Sequence, residues 1–221
     1  MLDPNNVTAC LVTRGNVPMD PILETLPFAK VLIWDNSTRE YDLKVYGRYE
    51  MAQHAETEWI AWVDDDVVFT EWDALLEASE CDTFVSNNAH GPNHGGYNDL
   101  ALQAAGAIIP KSMIQSTWDR WWRRYPVSTL LPQHQNTMRA TLPSAIRGQV
   151  TFRDGVLYEA DFIFGVLCER WKQVDLPYTR LYADDDSRLC RQPWQETLKL
   201  HMTNLAREIR DQHLLFPQAA A

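Results

Sequence analysis

The chain has 221 residues, 45% apolar and 23% charged, with a net charge of −10. This is long enough for one domain with a proper core, ordinary for a soluble globular protein, and too acidic for a wholesale nucleic-acid coat. No stretch approaches the roughly 20 apolar residues of a membrane span and no basic start leads into an apolar segment. Cys10, Cys81, Cys168 and Cys190 lack the paired spacing of a zinc site or disulfide frame, so a cytoplasmic protein without membrane contact is expected.

Val7 to Thr13 reads as a first buried strand, ending in the polar turn Thr13-Arg14-Gly15-Asn16. Asp20-Pro21 then opens a helix, with Asp20 at the cap and Pro21 at the first helical position. Lys30 to Trp34 reads as a second buried strand and runs into Asp35-Asn36-Ser37. A helix follows over roughly Asp42 to Ala55, with Val45, Tyr49 and Ala52 on one face. Trp59 to Val63 is a third apolar strand, and three carboxylates, Asp64-Asp65-Asp66, stand at its end before Val67-Val68-Phe69. Unpaired charge is costly away from water, so the triplet belongs at the strand's carboxyl end, on the rim of a sheet. Carboxylates so placed suit Mg²⁺ or Mn²⁺, which keep several waters and accept phosphate oxygens. The strand–helix–strand spacing means βαβ units and a mostly parallel sheet, and in such sheets ligands gather at the strands' carboxyl ends. Three of those ends carry Thr13-Arg14-Gly15, Asp35-Asn36-Ser37 and the Asp triplet.

Further on, Trp72 to Ser79 reads as a helix, Thr83 to Ser86 as a strand, and Asn87 to Asn98, with His90 and His94, as an exposed loop. Ala101 to Pro110 reads as a strand. Ser112 to Tyr125 reads as a helix with Trp118, Trp121, Trp122 and Tyr125 at core-packing spacing and Arg120, Arg123 and Arg124 on the other side. From Lys111 to Arg153 seven basic residues face one acid, a local charge of +6 that leaves −16 on the rest. That distribution fits either an anionic partner or a surface balanced by nearby acids. Val156 to Gly165 reads as a strand holding Glu159 and Asp161 on one face. A second triplet, Asp184-Asp185-Asp186, follows Arg180-Leu181-Tyr182, and Lys199 to Met202, with His201, precedes a C-terminal helix.

These landmarks, in this order, resemble the GT-A class of nucleotide-sugar glycosyltransferases, close to its broad family-2-like group, over about Val7 to His201. The resemblance implies an α/β, GT-A (Rossmann-like) single domain with a mostly parallel central sheet and an acceptor-side helical and loop insertion. It would comprise a donor-binding half at 1–110, the basic acceptor-side insertion at 111–153 and a catalytic and acceptor half at 154–221. Thr13, Arg14, Gly15, Asp35, Arg48, Asp64 and Asp65 would bind the nucleotide sugar, a UDP-sugar by preference. Asp66 and His201 would hold Mn²⁺ or Mg²⁺. Asp185 or Asp186 would serve as the base of an inverting transfer, with Asp161 as a rival. Arg120, Trp121, Arg123 and Arg124 would meet the acceptor. The signal-less chain also looks like glycosyltransferases carried by bacteriophages, whose acceptors include hydroxymethylated bases in DNA and virion proteins. Two other classes compete: a nucleotidyltransferase, for which Thr13-Arg14-Gly15-Asn16 is a poor phosphate loop, and a non-catalytic nucleotide-sugar-binding scaffold.

Overall fold

The computed structural model describes residues 1–87, 100–103, 105–131, 134, 138–181 and 192–215. Its elements in chain order are β1 (Val7–Thr13), α1 (Asp20–Leu23), β2 (Lys30–Asp35), α2 (Gly47–His54), β3 (Trp59–Trp62), β4 (Val67–Val68), α3 (Trp72–Ala78), β5 (Phe84–Asn87), β6 (Ala107–Pro110), α4 (Lys111–Arg124), α5 (Phe152–Tyr158), α6 (Ala160–Leu167), β7 (Trp171–Val174), β8 (Thr179–Arg180) and α7 (Gln195–Leu215), with short 3₁₀ turns between some of them. Six strands form one sheet in the order β2-β1-β3-β6-β5-β7, while β4 and β8 make a separate antiparallel pair. β6 runs against both its neighbours and the other five strands are parallel. The mostly parallel α/β architecture expected from the sequence is therefore present.

Side-chain alternation divides the core between the sheet's two faces. Cys10, Ile60, Trp62, Phe84 and Ile109 point to one face, where α2, α4, α5, α6 and α7 pack. Val7, Ala9, Leu11, Ala61, Val63, Val85 and Ile108 point to the other, under α1 and α3. All seven residues of β1 are buried, as a strand covered on both faces requires. The aromatic stripe of α4 is core, as its spacing predicts: Trp118 and Trp121 are buried, and Trp121 stacks on Phe152 at 6.3 Å.

Several expected elements take a different form. Val156 to Gly165 is not a strand but parts of two helices, α5 and α6, joined at Glu159. A mostly apolar run whose two acids lie two positions apart fits strand alternation as well as helical spacing, so its pattern does not separate strand from helix. The local start signal is a capping box, in which Thr151 Oγ1 accepts from the Asp154 amide and the Asp154 carboxylate accepts from the Thr151 amide. The strand expected over Ala101 to Pro110 is confined to β6. Asp20 is the first residue of α1 rather than its cap, and Lys199 to Met202 lie inside α7. His90, His94, Asp184, Asp185 and Asp186 lie outside the described residues. Among the described residues, no helix is long and apolar enough to cross a membrane.

α6 reaches the sheet only because Gly165 lacks a side chain: a Cβ there would lie 2.1 Å from the Ala101 carbonyl oxygen. A backbone oxygen cannot rotate away, so α6 would have to lift. Gly165→Ala is expected to destabilise the protein by about 1–3 kcal/mol, as overpacking does, read as a lowered midpoint with unchanged slope in urea unfolding.

Candidate active site

Parallel pairing sets the geometry of the rim. Thr13 at the end of β1 is in register with Asp35 at the end of β2. β1 also pairs with β3, at Val7–Trp59, Thr8–Ile60 and Ala9–Ala61, and past the end of β3 the Arg14 amide donates to Asp65 Oδ2 at 3.3 Å. The three strand ends singled out from the sequence therefore meet on one edge.

Each acid there has its own environment. Asp35 Oδ1 accepts from the Ser37 amide at 2.9 Å and from Ser37 Oγ at 2.7 Å, the turn-capping role open to an Asp before a Ser. Gly15, with φ of +75°, lies so close that a Cβ would meet Ser37 Oγ and the Asp35 carboxylate. Asp65 turns back toward β1: its Oδ2 accepts from the Arg14 amide at 3.3 Å, and Thr13 also donates to its carboxylate. Burial, with Asp64 beside it, pushes the Asp65 carboxyl above its usual range against these hydrogen bonds. Asp65 thus shapes the turn that lines the rim. The Asp66 carbonyl accepts from the Leu181 amide at 2.6 Å, and its carboxylate lies 3.8 Å from Arg180 Nη1.

Asp64 faces inward to Arg48, near the start of α2. The Arg48 side chain is only 1% exposed and is no helix-surface residue. Its Nη2 lies 2.5 Å from Asp64 Oδ1 and its Nη1 3.5 Å from Asp161 Oδ2. Tyr49 donates to Asp161 Oδ1 at 2.9 Å, and Gln103 Nε2 donates to the Tyr49 hydroxyl at 2.9 Å. Burial opposes the Arg48 charge, but Asp161 and Asp64 hold its proton more tightly than usual. Burial likewise raises the Asp161 carboxyl, with Arg48 resisting and Asp64 reinforcing the rise. One guanidinium thus joins two carboxylates almost a hundred positions apart. Arg48 presents almost no surface to a nucleotide; it acts on the site by holding these acids.

The remaining expected site residues are spread more widely. His201 lies on α7, half-buried, with Nε2 buried and without a hydrogen-bond partner among the described residues. Burial lowers its pKa against the influence of Glu208, which favours the neutral imidazole. Among the described residues, no three His, Cys, Asp or Glu side chains lie close enough to form a metal group. A divalent ion shared with a diphosphate takes only one or two protein carboxylates, and Asp66, next to Asp64 on the rim, is a donor of that kind. The acceptor-side residues separate sharply. Trp121 is fully buried and has no face to offer. Arg120 bonds the Leu167 carbonyl at 2.7 Å and pairs with Glu169 at 2.9 Å. Arg123 and Arg124 are exposed at the end of α4. Elsewhere in the basic segment Lys111 and the exposed Arg139 and Arg147 donate to backbone carbonyls.

Two polar residues carry more of this region than the sequence reading assigned to them. Gln103, a lone amide in an apolar run, supports Tyr49; that isolation is the signal that could have singled it out. Glu159, where α5 meets α6, is 1% exposed and accepts from Gln195 Nε2 at 3.1 Å.

No protein-family model matches this chain, and no curated protein matches it. Among solved structures, the chain is similar to a glycosyltransferase involved in glycosylation of the major capsid of PBCV-1, with a TM-score of 0.44, 12% identity, and coverage of 76% of this chain and 81% of that one. It is also similar to the glycosyltransferase GlyE of Streptococcus pneumoniae TIGR4, with a TM-score of 0.38, 8% identity and coverage of 97% of this chain. That match spans 64% of GlyE, less than two thirds of its length.

Glu159 gives the site a measurable pH signature. Burial pushes its carboxyl from 4.5 to about 8, against Lys199 and the Gln195 hydrogen bond. The folded chain keeps a proton that the unfolded chain releases, so this group's contribution to stability falls as pH rises from about 4.5 to about 8 and is level beyond. Glu159→Gln is expected to remove that slope and to raise stability near pH 8 by an amount on the order of a few kcal/mol, read from denaturant midpoints at the two ends of the window.

Proposed function

We propose that the chain is a glycosyltransferase that moves a sugar from a nucleoside-diphosphate sugar, by preference a UDP-sugar, to an acceptor hydroxyl. The observation that carries this reading is the meeting on one rim of the Thr13-Arg14-Gly15 turn, Asp35 and the Asp triplet, with Asp64 joined through Arg48 to Asp161. The base and ribose lie along Thr13 to Gly15 and Asp35, where backbone amides and carboxylates recognise a nucleoside. The diphosphate lies toward Asp66 and the sugar toward Asp64 and Asp161.

Mn²⁺ or Mg²⁺ would be held by Asp66, with His201 as the further ligand the family resemblance implies, and would neutralise charge growing on the leaving diphosphate. The chain's own groups supply the rest. Positive charge develops at the anomeric carbon as its bond to diphosphate oxygen breaks, and the carboxylates at the rim face that charge. The acceptor oxygen bonds to the same carbon, from the opposite side in an inverting transfer, and gives its proton to a carboxylate. Asp161 is the described residue suited to that task, since burial raises its proton affinity while Tyr49 and Arg48 fix its orientation. Asp185 and Asp186 are the other candidates. The exposed Arg123 and Arg124 give an anionic acceptor, such as hydroxymethylated DNA, a place to approach; a virion protein is the second acceptor class.

Turnover tests the proposal through release of nucleoside diphosphate from UDP- and GDP-sugars in the presence of Mn²⁺. Asp66→Ala is expected to abolish release. Asp161→Asn is expected to lower it by about 10²–10⁴-fold, the usual contribution of a positioned base, while leaving KM for the donor little changed. Unchanged release in Asp66→Ala would overturn the reading.

A further inference from the structure

Gln103 is a buried amide that packing alone does not require. It lies on the segment that leads into β6, within an apolar stretch, and is 0% exposed. Three side chains of β5 and β7 pin the backbone around it. Ser86 Oγ donates to the Leu102 carbonyl, Gln173 Nε2 to the Leu100 carbonyl at 3.2 Å, and Asn87 Nδ2 to the Ala105 carbonyl at 2.9 Å. From that fixed segment Gln103 Nε2 reaches α2 and donates to the Tyr49 hydroxyl at 2.9 Å. Its Oε1 is buried without a hydrogen-bond partner among the described residues. Burying a half-satisfied amide costs stability that an apolar side chain of similar size would not.

The bond sets a direction. Tyr49 has one proton, and it goes to Asp161 Oδ1 at 2.9 Å. Burial, with the Asp161 charge beside it, keeps that hydroxyl protonated well above its ordinary range, so Tyr49 stays a donor. The Gln103 N–H occupies a lone pair of the Tyr49 oxygen, and a hydroxyl that accepts such a bond donates more strongly in turn. With the amide turned over, Gln103 would take the Tyr49 proton. The Tyr49 and Asp161 oxygens would then face one another with no proton between them unless Asp161 carried one. Oδ1 is thereby spent as an acceptor. Oδ2 lies 3.5 Å from Arg48 Nη1, on a side chain that keeps 15% of its surface exposed.

We infer that Gln103 is a positioning residue for Asp161, aiming the Tyr49 proton at Oδ1 and leaving Oδ2 as the oxygen that takes a proton. The catalytic consequence rests on the proposed function. The acceptor O–H bond breaks and its proton passes to Oδ2. Its electron pair forms the new bond to the anomeric carbon, while the diphosphate leaves with the pair of the old one. The groups acting on Asp161 are Arg48 and Tyr49 on α2 and Asp64 past the end of β3. Glu159, where α5 meets α6, feels the Asp161 charge, with Lys199 and Glu196 of α7 beside it. Burial, joined by Asp64, favours the protonated Asp161 carboxyl, while Arg48 and Tyr49 hold the carboxylate. Losing the Gln103 bond weakens the Tyr49 arm and therefore raises the pH at which Asp161 titrates.

Carbon-13 NMR titration of the aspartate carboxyls in labelled protein tests this without turnover, the Asp161 resonance being assigned by its loss in Asp161→Asn. Tyr49→Phe is expected to raise the Asp161 midpoint by about one pH unit, the size of a hydrogen-bond contribution. Gln103→Met and Gln103→Leu, of which either suffices if folded, are expected to raise it by roughly a third of that. The double variant Tyr49→Phe/Gln103→Met should shift no further than Tyr49→Phe, because Gln103 acts through Tyr49. In turnover, the acid limb of kcat for nucleoside diphosphate release should move in the same order. The predicted carboxyl shifts in a chain that releases no diphosphate would keep the positioning and overturn the transferase reading. An unmoved Asp161 midpoint in a folded Gln103 variant, or a Gln103 effect that adds in full to that of Tyr49→Phe, would overturn the inference.

Discussion

The site depends on a buried positive charge. Arg48 is almost wholly out of water and lies between Asp64 at the end of β3 and Asp161 at the start of α6. Removing either acid alone would weaken compensation of a desolvated cation, and removing the arginine would leave two acids without their counter-charge; breaking such a buried pair costs about 3–5 kcal/mol. The pairing ties the strand that carries the triplet to a helix a hundred residues later, so rim and far half cannot settle independently. Arg48 Nε and Nη1 have no hydrogen-bond partner among the described residues.

The rest of the rim divides labour among neighbouring carboxylates by direction. The strand runs into a turn here, in which the Val67 amide donates to the Asp64 carbonyl at 3.2 Å, so three adjacent aspartates need not share one direction or one role. Asp64 faces the buried arginine, Asp65 folds back to the β1 turn, and Asp66 is left beside Arg180. Glycine makes the fit possible. Gly15 in its left-handed conformation brings the first turn against Asp35 and Ser37 more closely than a residue with a Cβ would allow.

Much of this was legible in the sequence for a definite physical reason. Parallel strands covered on both faces appear as uninterrupted apolar runs, and their polar ends mark the rim; β1 and β3 followed that rule, while β2, expected to be buried, is a partly exposed edge strand that still ends in its polar turn, and Thr13, Asp35 and the triplet came with them. The helix pair α5–α6 did not, because Val156 to Gly165 is mostly apolar with Glu159 and Asp161 at strand-like spacing, which outweighed the capping box at Thr151 and Asp154. The burial of Arg48 was illegible, because its two acids come from distant parts of the chain and only the tertiary fold brings them together. The basic segment misled in a similar way. Its charge sum was correct, yet Lys111, Arg120 and Arg147 are spent on carbonyls and on Glu169, and Trp121 is core, which leaves Arg123 and Arg124 as the exposed part of the expected acceptor face.

The central claim is that the rim formed by β1, β2 and β3 receives a nucleoside-diphosphate sugar. The most direct measurement is a thermal-shift screen of nucleoside diphosphates and UDP- and GDP-sugars, with and without Mn²⁺, on the wild-type protein and on Asp35→Ala. A ligand that binds only the folded state raises the melting temperature according to its excess over Kd. A Mn²⁺-dependent rise is expected with one nucleotide series and shrinks in Asp35→Ala. No rise with any nucleotide, or a rise of equal size in both proteins, would contradict it.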